Sequence, residues 1–340
     1  MGTRILIIKL AAMGDVLRTT TILLGLKAKY PQSNITWLTE ENVSSLLKNN
    51  NYIDRLLVFN NESLLRLQVE SFDVLICLDK EPKATALAML ASAKEKLGFG
   101  LSPEGSVFPL NPEAYYNFML GISDNLKFKE NRKTYQELIY ETARLSYDQK
   151  YEYVFPDLSE EIRHARAFLN DMGLSDGGLT VGLNTGSGPV FATKKWTIEG
   201  YSALASSLMK KLNAKVLLLG GPHETERNKA IERIAKGVIN TGNSHTLRFF
   251  SGIVGCCDLI VTGDTLALHI AIGLKKKVLL IIGSTCHQEI ELYGRGEKIV
   301  SNFDCAPCYK STCNKVPNCM DNITAEQVFD VAKKILARAL

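Results

Sequence analysis

The chain has no uninterrupted apolar stretch of the roughly 18 residues that a membrane-spanning helix needs, which excludes an integral helical membrane protein. It also lacks a strong charge of either sign, since 40 Lys and Arg face 36 Asp and Glu for a net charge of +4. That excess is too small to argue for nucleic acid, and no RNP, zinc-finger or helix-turn-helix signature accompanies it. Basic runs such as Lys275-Lys276-Lys277 read as solvated turns. Two nucleotide motifs are missing as well. The loop after the first apolar run, Lys9-Leu10-Ala11-Ala12-Met13-Gly14-Asp15-Val16, holds a single glycine. A dinucleotide fingerprint needs G-x-G-x-x-G there, so its absence counts against a nicotinamide or flavin oxidoreductase. No Asp-x-Asp pair occurs anywhere, which removes the common two-carboxylate clamp for a metal-bound nucleotide diphosphate. The opening Arg4–Ala12 is not a secretory signal, because Lys9 interrupts the apolar run and Gly14-Asp15 stands where cleavage would fall. A cytoplasmic protein is therefore expected, its eight cysteines reduced or metal-bound rather than disulfide-paired.

What is present is a globular pattern long enough for two domains: 340 residues, 46% hydrophobic. Short apolar runs bounded by turn residues alternate with amphipathic segments of helix length, the signature of βαβ units and parallel sheets. The first half predicts strands at Ile5–Leu10, Ile35–Thr39, Leu56–Phe59, Val74–Leu78 and around Leu97-Gly98-Phe99. Its helices fall near Val16–Tyr30, Ser44–Asn49, Ala84–Ala93 and Tyr135–Ser146. A polar amphipathic stretch, Glu160–Met172, leads to Gly173 and Gly177-Gly178. The second half restarts with strands at Thr180–Asn184, Val216–Leu219, Val238–Asn240, Leu259–Thr262 and Val278–Ile282. Helices Ile198–Leu212, Glu224–Ala235, Leu247–Cys256 and Thr265–Leu274 separate them, and Ala325–Leu340 reads as a terminal helix. The expected fold class is thus α/β, two doubly wound Rossmann-like domains with a ligand cleft between the carboxyl ends of their sheets. The boundaries are 1–157 for the first domain, 158–178 for a linker helix and Gly-rich boundary, 179–323 for the second domain and 324–340 for the last helix.

The residues fit for chemistry cluster after predicted strands. The run Leu259-Ile260-Val261 passes through Gly263-Asp264-Thr265 into a helix beginning at Leu266, whose free N–H groups and dipole would welcome phosphate oxygens. His269, five residues after Asp264, lies a little over one helical turn away and could border the same cleft. Asp15 opens the first helix, where a plain N-cap and a carboxylate able to accept a proton from a hydroxyl nucleophile use the same residue. The small residues of Asn184-Thr185-Gly186-Ser187-Gly188-Pro189 allow backbone to approach a ligand or simply make a turn. Lys194 then reads either as surface charge or as a cation for a diphosphate leaving group. Gly220-Gly221-Pro222-His223-Glu224 is a turn whose Glu224 could accept from ribose hydroxyls. Arg18, Lys80 and Lys83 follow first-domain strands and could meet acceptor phosphates, or be solvated charge.

Taken in order, Ile-Ile-Lys-Leu-x3-Gly-Asp-Val, Asn-Thr-Gly with Lys194-x-Trp196, Gly-Gly-Pro-x-Glu and Gly-Asp-Thr-x3-His resemble glycosyltransferase family 9, which contains the lipopolysaccharide heptosyltransferases. The resemblance covers roughly residues 4 to 335. It implies a GT-B architecture, an amino-terminal acceptor domain, a carboxy-terminal nucleotide-sugar domain and a last helix returning to the first domain. It also implies inverting sugar transfer without a catalytic metal or cofactor, with heptose from ADP-heptose as the expected donor sugar. The acceptor would be an anionic, lipid-linked saccharide of the lipopolysaccharide core, reached by peripheral contact with the inner membrane face. Asp15 matches the family's catalytic base; Lys194, Asp264, Thr265 and His269 match its donor diphosphate region, and Glu224 its ribose contact. Met13, Gly14, Thr185, Gly186 and Leu266 complete the expected donor set. One residue departs from the pattern: Leu266 stands where the family usually has Gly after Asp-Thr. A position requiring φ > 0 would not tolerate Leu, whereas a first helical turn would keep the same N–H.

Cys305, Cys308, Cys313 and Cys319 form a C-x2-C-x4-C-x5-C cluster in a Pro- and Asn-containing loop. Four thiolates meet the ligand count of structural zinc or an iron–sulfur cluster, and reduced thiols or a local disulfide are the alternatives. Cys77, Cys256 and Cys257 read as small core residues. Two other function classes fit the same architecture: a nucleotide-sugar epimerase, which would turn over without an acceptor, and a non-catalytic nucleotide-sugar-binding relative.

Overall fold

A computed structural model describes residues 2–174, 177–188, 190 and 193–338 of the chain; Pro189 of the small-residue loop lies outside them. The chain divides into two units, one of Met1–Asp157 with Gln288–Glu291 and one of Leu158–His287 with Leu292–Leu340.

The first unit is built on β1 (Arg4–Ile8), β2 (Asn34–Thr39), β3 (Arg55–Val58), β4 (Ser71–Cys77), β5 (Ser92–Leu101) and β6 (Val107–Pro109), in the spatial order 3-2-1-4-5-6. β1 pairs in parallel with β2 and β4, and β6 closes the edge antiparallel to β5. Ile5, Leu6, Ile7 and Ile8 are completely buried, as expected of a central strand covered on both faces. The continuous helix expected over Val16–Tyr30 is two helices, Met13–Thr19 and Ile22–Lys29. The break falls on three successive threonines. Thr19 and Thr20 turn their hydroxyls back onto the Asp15 and Leu17 carbonyls, both at 2.6 Å, a local bond that competes with regular helix. The helix expected at Ser44–Asn49 lies earlier, at Glu41–Ser44, ahead of Asn49 in the left-handed region. A helix at Asn61–Val69 was not anticipated; Asn60 and Ser63 form its capping box.

The second unit repeats the plan with β7 (Thr180–Asn184), β8 (Lys215–Leu219), β9 (Ile239–Asn240), β10 (Leu259–Thr262), β11 (Lys277–Ile282) and β12 (Gly296–Val300), ordered 12-11-10-7-8-9. Numbered from its own first strand, this is again the order 3-2-1-4-5-6, entirely parallel. The Ser159–Asp171 helix, expected as a linker, belongs to this unit. It packs on the Leu247–Gly255 helix through Phe168 against Phe249, ring centroids 5.5 Å apart, and Arg248 bonds Glu161 at 2.5 Å. The terminal helix, Ala325–Leu336, was expected to return to the first domain. Within the second unit it buries Val328, Phe329, Ala332 and Ile335 in the core, with Leu204 and Leu208 of the Ile198–Leu212 helix. Gln288–Glu291 is the part of the second half that groups with the first unit. No helix among the described residues is long and apolar enough to cross a membrane.

Candidate active site

In a doubly wound sheet the chain leaves its first strand in one direction and its fourth in the other, so the carboxyl ends of those two strands open a crevice that loops cannot fill. Most of the sequence-selected residues collect at these points, after β1 and β4 in one unit and after β7 and β10 in the other, with Glu224 following the neighbouring β8.

In the first unit β1 runs straight into Lys9 and β4 into Leu78-Asp79. Lys9 and Asp79 are both buried, at 4% and 5% exposure, and pair directly. The Lys9 ammonium also donates to the Ala11 carbonyl at 2.5 Å, and Asp79 Oδ2 accepts the Leu10 N–H at 2.5 Å. This ion pair ties down the loop leading to Met13 and Gly14, the first residues of the Met13–Thr19 helix. Desolvation opposes the Lys9 charge, but Tyr135, Asp79 and Asp15 outweigh it and hold the ammonium above its ordinary range. Asp15 sits in the first turn without acting as the N-cap, a position taken by Ala12 with no side-chain bond. Its side chain is 36% exposed and its Oδ1 lies 2.7 Å from the Arg18 guanidinium. The Arg18 guanidinium carbon lies over the Tyr135 ring, 3.6 Å from the centroid. Lys80 is half-buried, donates to Asn117 Oδ1 at 3.0 Å and faces the Phe99 ring at 4.9 Å. Burial and the nearby Lys127 charge push its ammonium down to about 8. Lys83 is more open and pairs with Glu40.

Tyr135, Asp79 and Lys9 were missed as site residues. A signal existed for the last two: each is a charge at the end of an otherwise apolar strand, a placement that burial permits only with a partner.

In the second unit the Leu266–Gly273 helix starts immediately after Asp264-Thr265. Thr265, its N-cap, makes no capping bond; its hydroxyl instead meets Thr262 Oγ1 at 2.9 Å and accepts from Asn184 Nδ2 at 3.2 Å. The N–H groups of the first turn therefore keep their capacity for an anion. Lys194 is no surface lysine. Its side chain is 15% exposed, and Nζ lies 2.9 Å from Asp264 Oδ2 and 3.3 Å from the Asp264 carbonyl oxygen. His269 is buried and its Nε2 stands 3.8 Å from Asp264 Oδ1. Gly263 permits this closeness, since a Cβ there would sit 2.7 Å from the Lys194 carbonyl oxygen. Leu266 is the first helical residue and is absent from the positions with φ > 0. Its backbone is thus ordinary helix, and the departure from Gly leaves the N–H in place.

Glu224 is 4% exposed and accepts the Gly221 N–H at 3.1 Å through Oε2. Its Oε1 makes no hydrogen bond and lies 3.5 Å from the Lys195 ammonium. A side chain at Gly186 would overlap the Glu224 carboxyl group, so the glycine makes room for it. Thr185 turns inward, its hydroxyl fully buried and 2.5 Å from Asn228 Oδ1. Arg227, also missed in the sequence, braces the loop by donating to the Thr185 carbonyl at 2.9 Å and to the Trp196 carbonyl.

Burial and the neighbouring Cys308, Cys313 and Cys305 raise the Cys319 thiol, so the four clustered cysteines share one neighbourhood. Cys319 is buried, Cys308 half-buried, and Cys305 and Cys313 exposed. No group of three or more His, Cys, Asp or Glu among the described residues stands close enough to hold an ion. Cys77, Cys256 and Cys257 are buried as expected of core residues.

Comparison with known proteins gives a consistent result. Residues 64–318 match glycosyltransferase family 9 (heptosyltransferase). A lipooligosaccharide heptosyltransferase 2 of Campylobacter jejuni is 26% identical over 221 residues, covering 63% of this chain and 66% of that protein. Among solved structures, a family 9 glycosyl transferase of Veillonella parvula superposes with a TM-score of 0.78 at 19% identity, covering 99% of this chain and 98% of the other. The E. coli ADP-heptose lipopolysaccharide heptosyltransferase II gives 0.71 at 18% identity, with 98% of each chain covered. With a family match over three quarters of its length and two doubly wound sheets like those of its structural relatives, the chain belongs to glycosyltransferase family 9, the heptosyltransferase family.

Proposed function

We propose that this protein transfers a heptosyl group from ADP-heptose to an anionic saccharide of the lipopolysaccharide core type, with inversion and without a catalytic metal. The observation that carries the reading is the pairing of Lys194 with Asp264 beside the uncapped start of the Leu266–Gly273 helix. The cation and the helix N–H groups are of the kind that neutralise charge building on a departing diphosphate. His269 borders the same point, and the unsatisfied Glu224 Oε1 is an acceptor for a ribose hydroxyl. Gly186, which gives Glu224 its room, belongs to the same donor site. Asp15 is the base: it takes the proton of the acceptor hydroxyl as the new C–O bond forms at the anomeric carbon and the bond to the diphosphate breaks. Of the three cations ascribed to acceptor phosphates, Lys80 is the one we retain, because Arg18 and Lys83 are engaged by Asp15 and Glu40. The donor named in the E. coli heptosyltransferase II structure supports ADP-heptose, and a cytoplasmic site of action with peripheral membrane contact accompanies such an acceptor.

The test combines binding and turnover. Calorimetry over a panel of nucleoside diphosphates should favour ADP, and the protein should extend a core acceptor lacking its heptose. Asp15→Asn should lower transfer by about 100-fold or more, the scale of a lost general base, while leaving ADP affinity near that of the wild type. Full activity in that variant would remove the mechanism, and acceptor-independent turnover of the donor would favour the epimerase reading.

A further inference from the structure

Asp15 does not stand alone in its helix turn. With Arg18, Tyr135 and Thr19 it closes a ring of contacts. Its Oδ1 meets the Arg18 guanidinium at 2.7 Å; that guanidinium lies on the Tyr135 ring at 3.6 Å. The Tyr135 hydroxyl meets Thr19 Oγ1 at 2.6 Å, and Thr19 Oγ1 donates to the Asp15 carbonyl at 2.6 Å. Because Thr19 spends its proton on that carbonyl, the phenol must be the donor to Thr19. Burial raises the Tyr135 pKa, against Lys9 and Arg18, so the hydroxyl keeps its proton.

The Arg18 side chain is 16% exposed, and its Nε makes no hydrogen bond. Its hold on Asp15 therefore rests on the contact between guanidinium and carboxylate and on the aromatic platform beneath. A planar guanidinium stacks in this way whereas an ammonium does not. Despite its desolvation, Arg18 is kept charged by Asp15 and Tyr135, with Glu289 and Tyr153 adding to the effect. Lys9, itself bound to Asp79, also interacts with Asp15. On the other side of the Met13–Thr19 helix, Glu41 of the Glu41–Ser44 helix is exposed.

We propose that Arg18, seated on Tyr135, is a positioning residue for Asp15 rather than a ligand for acceptor phosphate: it fixes the carboxylate's direction and keeps it ionised. The proposal rests on the reading of Asp15 as base only for its consequence in turnover. An arginine beside a general base exchanges some basicity for a carboxylate that is ready and correctly aimed at every encounter. The Tyr135–Thr19 link ties that geometry to the backbone of Asp15 itself.

The experiment is a carbon-13 NMR titration of the Asp15 carboxyl in aspartate-labelled protein, its resonance assigned by its loss in Asp15→Asn. In Arg18→Gln the midpoint should rise by about one pH unit or more, the usual effect of removing an opposite charge at contact distance. The acid limb of kcat should move with it, while acceptor KM stays near that of the wild type. Arg18→Lys should restore most of the midpoint but not all of kcat, since the charge returns without the stack. An unmoved midpoint in folded Arg18→Gln overturns the proposal, as does a raised acceptor KM with kcat and midpoint unchanged. Should Arg18→Gln fail to fold, Tyr135→Leu carries the test: an unmoved midpoint there overturns the proposal equally. Full transfer by Asp15→Asn would sink the base reading and leave the titration result standing, so the two failures are told apart.

Discussion

Lys194 and Lys80 are both lysines that a sequence leaves ambiguous, and burial gives them different chemistry. Lys194 keeps its charge partner, Asp264 at 2.9 Å, and a diphosphate arriving at the helix start would compete with that carboxylate for the same ammonium. Lys194→Gln should weaken ADP binding by about 10- to 100-fold, corresponding to one charged hydrogen bond of roughly 1.5–3 kcal/mol, with little change in thermal unfolding of the free protein; calorimetry and a melting curve check both halves. Among the described residues Lys80 has no carboxylate against its ammonium, which donates to Asn117. Its folded pKa is pushed down to about 8 from 10.5 by burial and by Lys127. Between those values the unfolded chain binds the proton and the folded one does not, so the Lys80 contribution to stability rises with pH across that window. Lys80→Met should be the more stable protein at pH 7 relative to its standing at pH 10.5, measured as the difference in urea midpoints between variant and wild type. An equal difference at both pH values would contradict the assignment. Neither lysine was separable from surface charge in the sequence, because exposure is a property of what packs around a side chain.

At the scale of elements, the first turn of the Leu266–Gly273 helix carries the argument. A family pattern with Gly at this position left two conformations open, and the helical one is present. An anion bound to backbone N–H groups is indifferent to the side chain on the far side of the turn. Leu266→Gly should therefore leave ADP affinity within about threefold and lower stability by at most about 1 kcal/mol, the helix penalty of glycine. A large gain in affinity would mean that Leu266 obstructs the site. Strands were the most legible elements, since β7 and β10 fall where their apolar runs end. Helix ends were less so. The break at Thr19-Thr20-Thr21 depends on hydroxyls choosing backbone carbonyls, and the apolar periodicity continues across it. β6 and β12 escaped notice because a short edge strand and a half-polar one carry little alternation.

At the scale of the whole molecule, one strand order occurs twice, and each copy carries residues of the proposed function: Asp15 and its neighbours after β1, the Asp264-Thr265 turn after β10. The terminal helix is structural in this scheme. Phe329 lies in the core of the second unit with Val328, Ala332 and Ile335, and Phe329→Ala should cost about 3–5 kcal/mol, seen as a lower melting temperature. Added ADP should recover part of that loss, because a ligand held at 100 times its Kd contributes about 2.7 kcal/mol. No recovery would separate the helix from the nucleotide-binding unit. The chain by itself determined the alternation of strands and helices, the doubly wound class and the family motifs in which Asp15, Lys194, Asp264 and His269 stand, because those follow from local periodicity and from residue types at fixed spacing. Only the tertiary structure decided that Lys9 is neutralised by Asp79, that Arg18 meets both Asp15 and the Tyr135 ring, and that Lys194 pairs with Asp264. Each of these joins positions by distances in space, and burial with its partners, rather than spacing along the chain, sets their chemistry.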